Sequence, residues 1–254
     1  MVARLKRRID LNADVGEMDA ADDAELMPYI SSANIACGFH AGSPLRMRET
    51  VALCKAHGVA VGAHPSYWDR AHFGRRELEI PADEIRELVR YQIGALQAVA
   101  GAQGVRVGHV KPHGALYNRS ARDAGVADAV ADAVASVDTG LVLVGLAGSE
   151  SLAAGRRAGL RVAAEGFADR RYTAQGRLVP RSSPEACIAS TDEAVAQVLG
   201  MLADGRVRAS SGEDVAISVD TVCLHGDGPS ALAFARALHR RLGSEGVAIT
   251  AERP

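Results

Sequence analysis

Short apolar segments of strand length alternate with helix-length segments along nearly the whole sequence, and this alternation limits the possible folds most. The predicted strands cover residues 8–15, 32–38, 59–64, 107–111, 141–146, 161–165 and 221–225, with a weaker one over 247–250. The predicted helices cover residues 44–57, 82–100, 121–135, 149–158, 191–203 and 229–242. Alternation of this kind is typical of parallel sheets, and its length favours a distorted (β/α) barrel of seven to eight parallel strands. No linker or change in composition divides the chain, so we expect one domain over residues 1–254.

The composition is that of a globular protein with a large aliphatic core. Hydrophobic residues make up 48% of the chain, and 29 Lys and Arg against 31 Asp and Glu give a formal net charge of -2. This balance argues against binding to nucleic acids or membrane surfaces, which needs excess positive charge. No apolar run approaches the ~20 residues of a membrane span, and the N-terminus has no signal-peptide core. The four cysteines never form a C-x-x-C pair, so we expect a reducing, cytoplasmic location.

A polar motif follows each of six predicted strands. The C-terminal ends of parallel strands meet at one face of an α/β barrel, where active sites are assembled from separate loops. We therefore expect an active site at this rim. The motifs are Asp14-Val-Gly-Glu17, Cys37-Gly-Phe-His40, His64-Pro-Ser-Tyr67, Lys111-Pro-His113-Gly114, Glu165-Gly-Phe-Ala-Asp169-Arg170 and His225-Gly-Asp227.

Alternation along the strands predicts which side chains point into the barrel, because residues two apart share a face. In the first strand the polar residues Asp10, Asn12 and Asp14 are interleaved with apolar residues that we expect to contact the outer helices. The interior of the barrel is therefore predicted to be polar. The same pattern groups His109 with Lys111 and His113, and Cys223 with His225 and Asp227.

The titratable residues of the motifs suit two kinds of site. Carboxylates and imidazoles act as general acid–base pairs or bind a divalent metal. No H-E-x-x-H or similar local pair fixes a metal site, so acid–base chemistry is favoured. Cys37 near His40 would suit a nucleophile, but a cysteine at the end of a buried strand is more often inert packing. The candidates are Asp14, Glu17, Glu165, Asp169 and Asp227 with His40, His64, His113 and His225.

Cations near the same motifs predict an anionic ligand. Lys111 is one of three lysines in the chain and lies inside a motif suited to binding a phosphate or an oxyanion. The pairs Arg75-Arg76 and Arg170-Arg171 supply guanidinium groups for bidentate contacts with phosphate or carboxylate. No lysine follows a glycine, which excludes a P-loop, and no G-x-S-x-G motif occurs.

Taken in order, these motifs resemble the LamB/YcsF family over nearly the whole chain. Ser43 stands where the family usually has Asp, which removes a carboxylate from the rim, and Trp68, Glu185 and Gly228 are further departures. The resemblance is carried by residues 10–17, 32–42, 62–67, 73–76, 109–118, 165–172, 177–182 and 225–227.

The resemblance implies a barrel similar to that of polysaccharide deacetylases and an ATP-dependent activity that opens the 5-oxoproline lactam to glutamate. It also implies two partner subunits, B and C, and ATP, with Mg²⁺, as cofactor. It does not say whether this chain binds a metal of its own. Such a reaction needs cations for phosphate, a base for water and an acid for the departing nitrogen.

We distribute these roles over the rim residues as a hypothesis. Asp14 or Asp227 activates water, and a histidine donates the proton. Lys111, with Arg75 or Arg170, holds phosphate or the substrate carboxylate. The candidate proton donors are His64, His113 and His225. The other predicted substrate-binding or nucleotide-binding residues are Asn12, Glu17, Asn34, His40, Arg76, Tyr117, Glu165 and Asp169.

Two other functions use the same rim. A metal-dependent deacetylase or amidohydrolase would act without ATP, contain zinc and be inhibited by chelators. A noncatalytic subunit would bind a ligand or a partner enzyme, and replacing rim residues would leave activity intact. Neither alternative accounts for the nearly complete set of motifs.

Overall fold

The computed structural model describes residues 7–18, 20–224 and 231–251. The strands are β1 (Arg8–Val15), β2 (Ser32–Ala36), β3 (Ala60–His64), β4 (Val107–Val110), β5 (Val142–Leu146), β6 (Arg161–Phe167), β7 (Arg206–Arg208), β8 (Asp214–Ala216), β9 (Thr221–Leu224) and β10 (Ala248–Ile249). The helices are α1 (Ala20–Leu26), α2 (Pro44–His57), α3 (Ala82–Gly101), α4 (Gly114–Ser120), α5 (Ala124–Val137), α6 (Glu150–Arg157), α7 (Thr191–Asp204) and α8 (Ala231–Ser244).

Parallel strands close into a barrel with helices outside it. Within the described residues, seven strands pair in the order β1-β2-β3-β4-β5-β6-β9, and β9 pairs back to β1 to complete the ring. The closing register places Asn12 opposite Cys223, while β10 pairs with the first two residues of β1. The predicted barrel of parallel strands is confirmed. None of the described helices is long and apolar enough to cross a membrane.

The barrel interior is polar on one side and aliphatic on the other. In β1 the apolar residues pack into the main core, whereas Asp10 points inward and accepts hydrogen bonds from the hydroxyls of Ser31, Ser32 and Thr221. Burial raises the pKa of Asp10 despite these bonds. The opposite side is filled by a small separate cluster of Val142, Val144 and Ala163. The inward direction predicted for the polar residues of β1 is confirmed.

Several short elements were not predicted, because they are too short to establish a hydrophobic period. They are α1, α4 and the antiparallel pair β7–β8. Helix α5 begins at Ala124 rather than at residue 121, since the Asp123 side chain accepts a hydrogen bond from the Val126 amide and caps the helix. Ser43, the departure from the family pattern, caps α2 in the same way through the Arg46 amide.

Some element boundaries differ from the predicted ones, and two predicted boundaries fall outside the described residues. Strand β2 ends at Ala36 rather than at residue 38, and β6 continues to Phe167 rather than ending at residue 165. The predicted strand end at His225 and the predicted helix start at residue 229 fall outside the described residues.

Gly62 in β3 lets two strands place side chains at the same level of the barrel. A Cβ at this position would overlap the imidazole of His109, whose Nε2 is 2.9 Å from Asn34 Oδ1. We expect Gly62→Ala to lower the free energy of unfolding by about 1–3 kcal/mol, because overpacking in a close-packed interior forces neighbouring groups to shift.

A matched control lies on the exposed side of α3. A Cβ added to Gly94 meets no atom of the described residues within 4 Å, so Gly94→Ala should raise the free energy of unfolding by about 0.5–1 kcal/mol. Urea titration of both variants measures the difference. Equal effects of the two substitutions would contradict the steric argument.

Candidate active site

The C-terminal ends of the strands open into a cavity of about 590 Å³. Its most buried polar lining comes from the ends of three strands, β1, β3 and β4. Loops that follow the other strands complete the walls. The sequence-predicted residues that line the cavity are Asp14, Glu17, His64, Arg75, Lys111, His113, Tyr117 and Arg170.

Lys111 lies deep at the base of this cavity and is fully enclosed. Its Nζ is 3.0 Å from Asp14 Oδ1, 2.8 Å from Glu165 Oε1 and 3.1 Å from Cys223 Sγ. Burial opposes the charge, but the two carboxylates outweigh it and hold the pKa of Lys111 well above its ordinary value. Lys111 is therefore a buried ammonium whose donors are already engaged, not a cation extended toward a ligand.

Two asparagines join the ion pairs into one network. Asn12 Nδ2 donates to Glu165 Oε1 at 3.0 Å, and Asn12 Oδ1 accepts from Asn34 Nδ2 at 2.8 Å. Asn34 Nδ2 also lies 2.9 Å from Asp14 Oδ1. Both asparagines sit beneath the cavity and hold the carboxylates. The two asparagines therefore hold Asp14 in position.

Glu165 and Tyr117 meet below the same cavity. Glu165 Oε2 and the Tyr117 hydroxyl are both buried, and the two side chains lie close enough to interact. Burial, together with the charge of Glu165, raises the pKa of Tyr117 well above its ordinary value. Tyr117 is therefore a neutral phenol in contact with the cavity.

Three imidazoles and a carboxylate converge beside Asp14, and we call Glu17, His40, His64 and His113 the histidine cluster. One ligand atom from each lies within 4.8 Å of all the others. His113 Nδ1 is 3.0 Å from His64 Nε2 and 3.2 Å from Glu17 Oε1. His40 Nε2 is 2.7 Å from Glu17 Oε1, and its ring stacks on His113 with centroids 3.8 Å apart.

Burial and neighbouring charges give these groups different protonation. Burial lowers the pKa of His40 to about 3 and also lowers that of His113. Burial acts in the same direction on His64, but the charge of Asp14 outweighs it and raises the pKa. Burial would raise the pKa of Glu17, but its contacts with His113 and His40 outweigh burial and lower it. The histidine cluster therefore contains an ionised carboxylate and at least two neutral imidazoles.

The predicted anion-binding arginines fall into different surroundings. Arg75 lines the cavity, whereas Arg76 is exposed and pairs with Asp69 at 3.4 Å. Arg170 borders the cavity but donates its guanidinium hydrogens to the carbonyls of Val179 and Ala186, which fixes the loop after β6. Arg170 therefore supports the wall more than it offers a free charge.

The same loop brings two further arginines to the cavity. Neither was among the predicted site residues. Arg177 and Arg181 both line the cavity. The segment 177–182 contributed to the family resemblance alone. Its two arginines, close to a proline, were the available signal for an anion-binding site.

The other candidates from the sequence do not contribute to the cavity lining within the described residues. Asp169, on the same loop, is half-buried and does not line the cavity. Burial raises the pKa of the Cys37 thiol to about 12, so this cysteine stays protonated and the packing interpretation holds. His225 and Asp227 lie outside the described residues.

Comparison with known proteins gives matches over nearly the full length. The LamB/YcsF family model matches residues 9–253. The A subunit of 5-oxoprolinase from Bordetella pertussis is 54% identical over 247 residues, covering 96% of this chain and 98% of that protein. The protein of the same name from Geobacillus kaustophilus is 55% identical over 250 residues, covering 97% of this chain and 98% of its own.

Solved structures agree with the sequence comparison. The crystal structure of a lactam utilization protein from Thermus thermophilus matches with a TM-score of 0.90 and 47% identity, covering 96% of this chain and 100% of that one. A peptidoglycan deacetylase from Bacillus subtilis reaches a TM-score of only 0.49 at 13% identity, which is too weak to inform function. The chain belongs to the LamB/YcsF family.

Proposed function

We propose that this chain is the A subunit of a 5-oxoprolinase and opens the 5-oxoproline lactam to L-glutamate. The observation that carries the proposal is its identity of 54–55%, over nearly full length, with proteins of that name. The cavity supports it, since about 590 Å³ falls within the range of small-molecule sites.

Asp14 is the proposed base that takes a proton from the attacking water. It lines the cavity, and Lys111 and Asn34 bind Oδ1, so that Oδ2 remains on the side of His64, 3.3 Å from Nε2. His64 and His113, beside it, provide the second requirement of lactam opening, stabilisation of the carbonyl oxygen or of the departing nitrogen.

The arginines of the loop after β6 are suited to binding the carboxylate of 5-oxoproline. We assign this carboxylate to Arg177 and Arg181, because Lys111 and Arg170 already donate hydrogen bonds to protein oxygens. Lys111, which the sequence analysis assigned to an anionic ligand, instead fixes Asp14.

ATP, with Mg²⁺, and the partner subunits B and C complete the proposed enzyme. A lactam is a poor electrophile, so phosphorylation of its carbonyl oxygen by ATP would make ring opening feasible. The chain has no P-loop, and the cavity arginines are its candidate phosphate contacts. We place the complex in the cytoplasm, where the four cysteines, all free in the structure, remain reduced.

Reconstitution tests this function. Glutamate release from 5-oxoproline is measured with this chain alone, with B and C alone, and with all three, each with and without ATP. We expect release only from the complete mixture with ATP. Release by B and C without this chain, or no release from the complete mixture, would contradict the proposal.

The histidine cluster supports one alternative function, that of a metal-dependent amidohydrolase acting without ATP. The cluster provides the imidazole and carboxylate donors that such enzymes use. Hydrolysis by this chain alone, independent of ATP and abolished by a chelator, would support that candidate. A noncatalytic role would instead leave the complete mixture active after Asp14 is replaced.

Replacing either loop arginine should weaken substrate binding. We expect Arg177→Gln and Arg181→Gln each to raise KM for 5-oxoproline by about 10–100-fold with a smaller change in kcat, since a charge-assisted hydrogen bond contributes about 1.5–3 kcal/mol. Arg90→Gln, on the outer helix α3 where the guanidinium pairs with Glu87, is the control. Steady-state kinetics of the complete mixture measure both constants. An unchanged KM in both loop variants would place the carboxylate elsewhere.

A further inference from the structure

The donor atoms of the histidine cluster are spaced like the ligands of a single ion. Tetrahedral ligands at about 2.0–2.1 Å from a metal lie about 3.3 Å apart. In the cluster, the distances are 2.7 Å from His40 Nε2 to Glu17 Oε1, 3.0 Å from His113 Nδ1 to His64 Nε2, and 3.7 Å from His64 Nε2 to Glu17 Oε1. These four atoms belong to loops after three strands and to the end of β3, yet they surround one point.

Backbone carbonyls fix the tautomers of two of the imidazoles. His64 Nδ1 lies 2.7 Å from the Lys111 carbonyl, and His113 Nε2 lies 2.9 Å from the Phe73 carbonyl. A carbonyl only accepts hydrogen bonds, so both of these nitrogens carry the hydrogen. In the neutral rings the lone pairs are then on His64 Nε2 and His113 Nδ1, which face each other at 3.0 Å.

Two lone pairs at this distance repel unless a proton or a metal cation lies between them. His40 extends the same arrangement, because Ser66 donates its hydroxyl hydrogen to the Tyr67 carbonyl and its oxygen can accept from His40 Nδ1 at 2.9 Å. The lone pair of His40 Nε2 then faces the Glu17 carboxylate. All three rings thus hold their outer N–H on an acceptor and aim the inner nitrogen at one point, as metal-ligating histidines do.

The backbone around the cluster is shaped for this arrangement. Phe73 has a left-handed conformation with φ 55°, which is uncommon for a residue other than glycine, and its carbonyl is the one that holds His113. A Cβ on Gly74 would lie 2.8 Å from His40 Cβ and 3.0 Å from His113 Cδ2. This turn therefore stores strain while it locks two of the rings in place.

We propose that Glu17 Oε1, His40 Nε2, His64 Nε2 and His113 Nδ1 bind one divalent first-row transition metal ion at the side of the cavity. Three imidazoles with one carboxylate suit Zn²⁺ or a similar ion better than Mg²⁺ or Ca²⁺, which prefer all-oxygen sites. The Lys111 and Phe73 carbonyls and the Ser66 hydroxyl orient the ligands from behind. Glu17, His64 and His113 also line the cavity, so the ion borders the space where a substrate would lie.

The metal site changes the roles available for chemistry. With the ion bound, His64 and His113 hold metal rather than a transferable proton, and a Lewis acid is present to polarise a substrate carbonyl. Asp14, adjacent to His64 but not among the four ligands, remains the proton acceptor. The site itself does not depend on the proposed activity, because metal binding is measured on this chain alone.

Direct titration tests the proposal. Tag-free protein is stripped with a chelator and titrated with Zn²⁺ against a chromophoric competitor, and separately with Co²⁺ followed by visible absorption. We expect one equivalent of Zn²⁺ with a Kd below about 1 µM, and the d–d bands of four- or five-coordinate Co²⁺. An absence of stoichiometric binding, or a Co²⁺ spectrum of a fully hydrated ion, would overturn the proposal.

Variants locate the site. We expect His40→Gln and His113→Asn each to weaken Zn²⁺ binding by more than about 100-fold, and Ser66→Ala, which removes only an orienting group, by about 10-fold. His57→Gln, at the exposed end of α2, is the matched control and should bind as the wild type does. Circular dichroism checks that each variant is folded. Wild-type affinity in the folded ligand variants would overturn the assignment, and if these variants do not fold, the wild-type Co²⁺ spectrum decides.

Discussion

Lys111→Met is expected to lower the free energy of unfolding by about 3–5 kcal/mol, the usual effect of removing one partner from a buried ion pair. The substitution keeps the length of the side chain but leaves Asp14 and Glu165 buried without their cation. These carboxylates lie 3.0 and 2.8 Å from Nζ in the wild type. Equilibrium urea unfolding measures the loss.

A double-mutant cycle separates this electrostatic effect from simple loss of packing. Glu165→Gln removes one negative charge while its amide oxygen still accepts the hydrogen bond from Asn12. If uncompensated charge is the cause, Lys111→Met with Glu165→Gln should be less destabilised than the sum of the two single variants. Strictly additive effects would show that the ion pair contributes little and that Lys111 stabilises the barrel by packing.

This network could be anticipated in part from the sequence. Alternation along β1 and β4 predicts that Asp14 and Lys111 point into the barrel, because the period of a strand is two whatever the rest of the chain does. The partner Glu165 ends the strand predicted over 161–165. What alternation does not provide is the register between strands, which decides that Lys111 contacts both carboxylates rather than one.

The histidine cluster was beyond sequence reasoning for a different physical reason. Its members lie at the ends of separate elements, and the spacing of His40, His64 and His113 along the chain carries no information about their distances in space. Their convergence depends on a left-handed turn at Phe73 and Gly74 that no hydrophobic period reveals. Without a local metal motif, the sequence favours acid–base chemistry, whereas the structure brings three imidazoles and a carboxylate together.

The loop after β6 presents the same difficulty. Between Phe167 and Thr191 the chain forms no helix within the described residues, and it is held mainly by contacts such as those of Arg170 with the carbonyls of Val179 and Ala186. Such contacts are set by tertiary packing and not by propensity. Arg177 could therefore be recognised as a cavity residue only once the loop was seen in place.

Asp14→Asn is expected to reduce kcat for glutamate formation by the complete enzyme by about 10²–10⁴-fold, the usual contribution of a general base. An asparagine has the same shape, so its Oδ1 can still accept from Lys111 and Asn34 while the amide nitrogen takes the position of Oδ2 near His64. KM should therefore change little, and because Lys111 keeps Glu165 as a counterion, stability should fall less than in Lys111→Met. Steady-state kinetics with a melting curve of the variant measure all three quantities.

The control for this variant is Asp128→Asn on the outer face of α5, where the carboxylate pairs with Arg157 and is half-exposed. It makes the same chemical change far from the cavity and should leave kcat unaltered. A nearly wild-type kcat for Asp14→Asn would assign the base to another residue. If kcat falls while Zn²⁺ affinity is retained, Asp14 acts on the proton and not on the metal, because the four proposed ligands are intact in this variant.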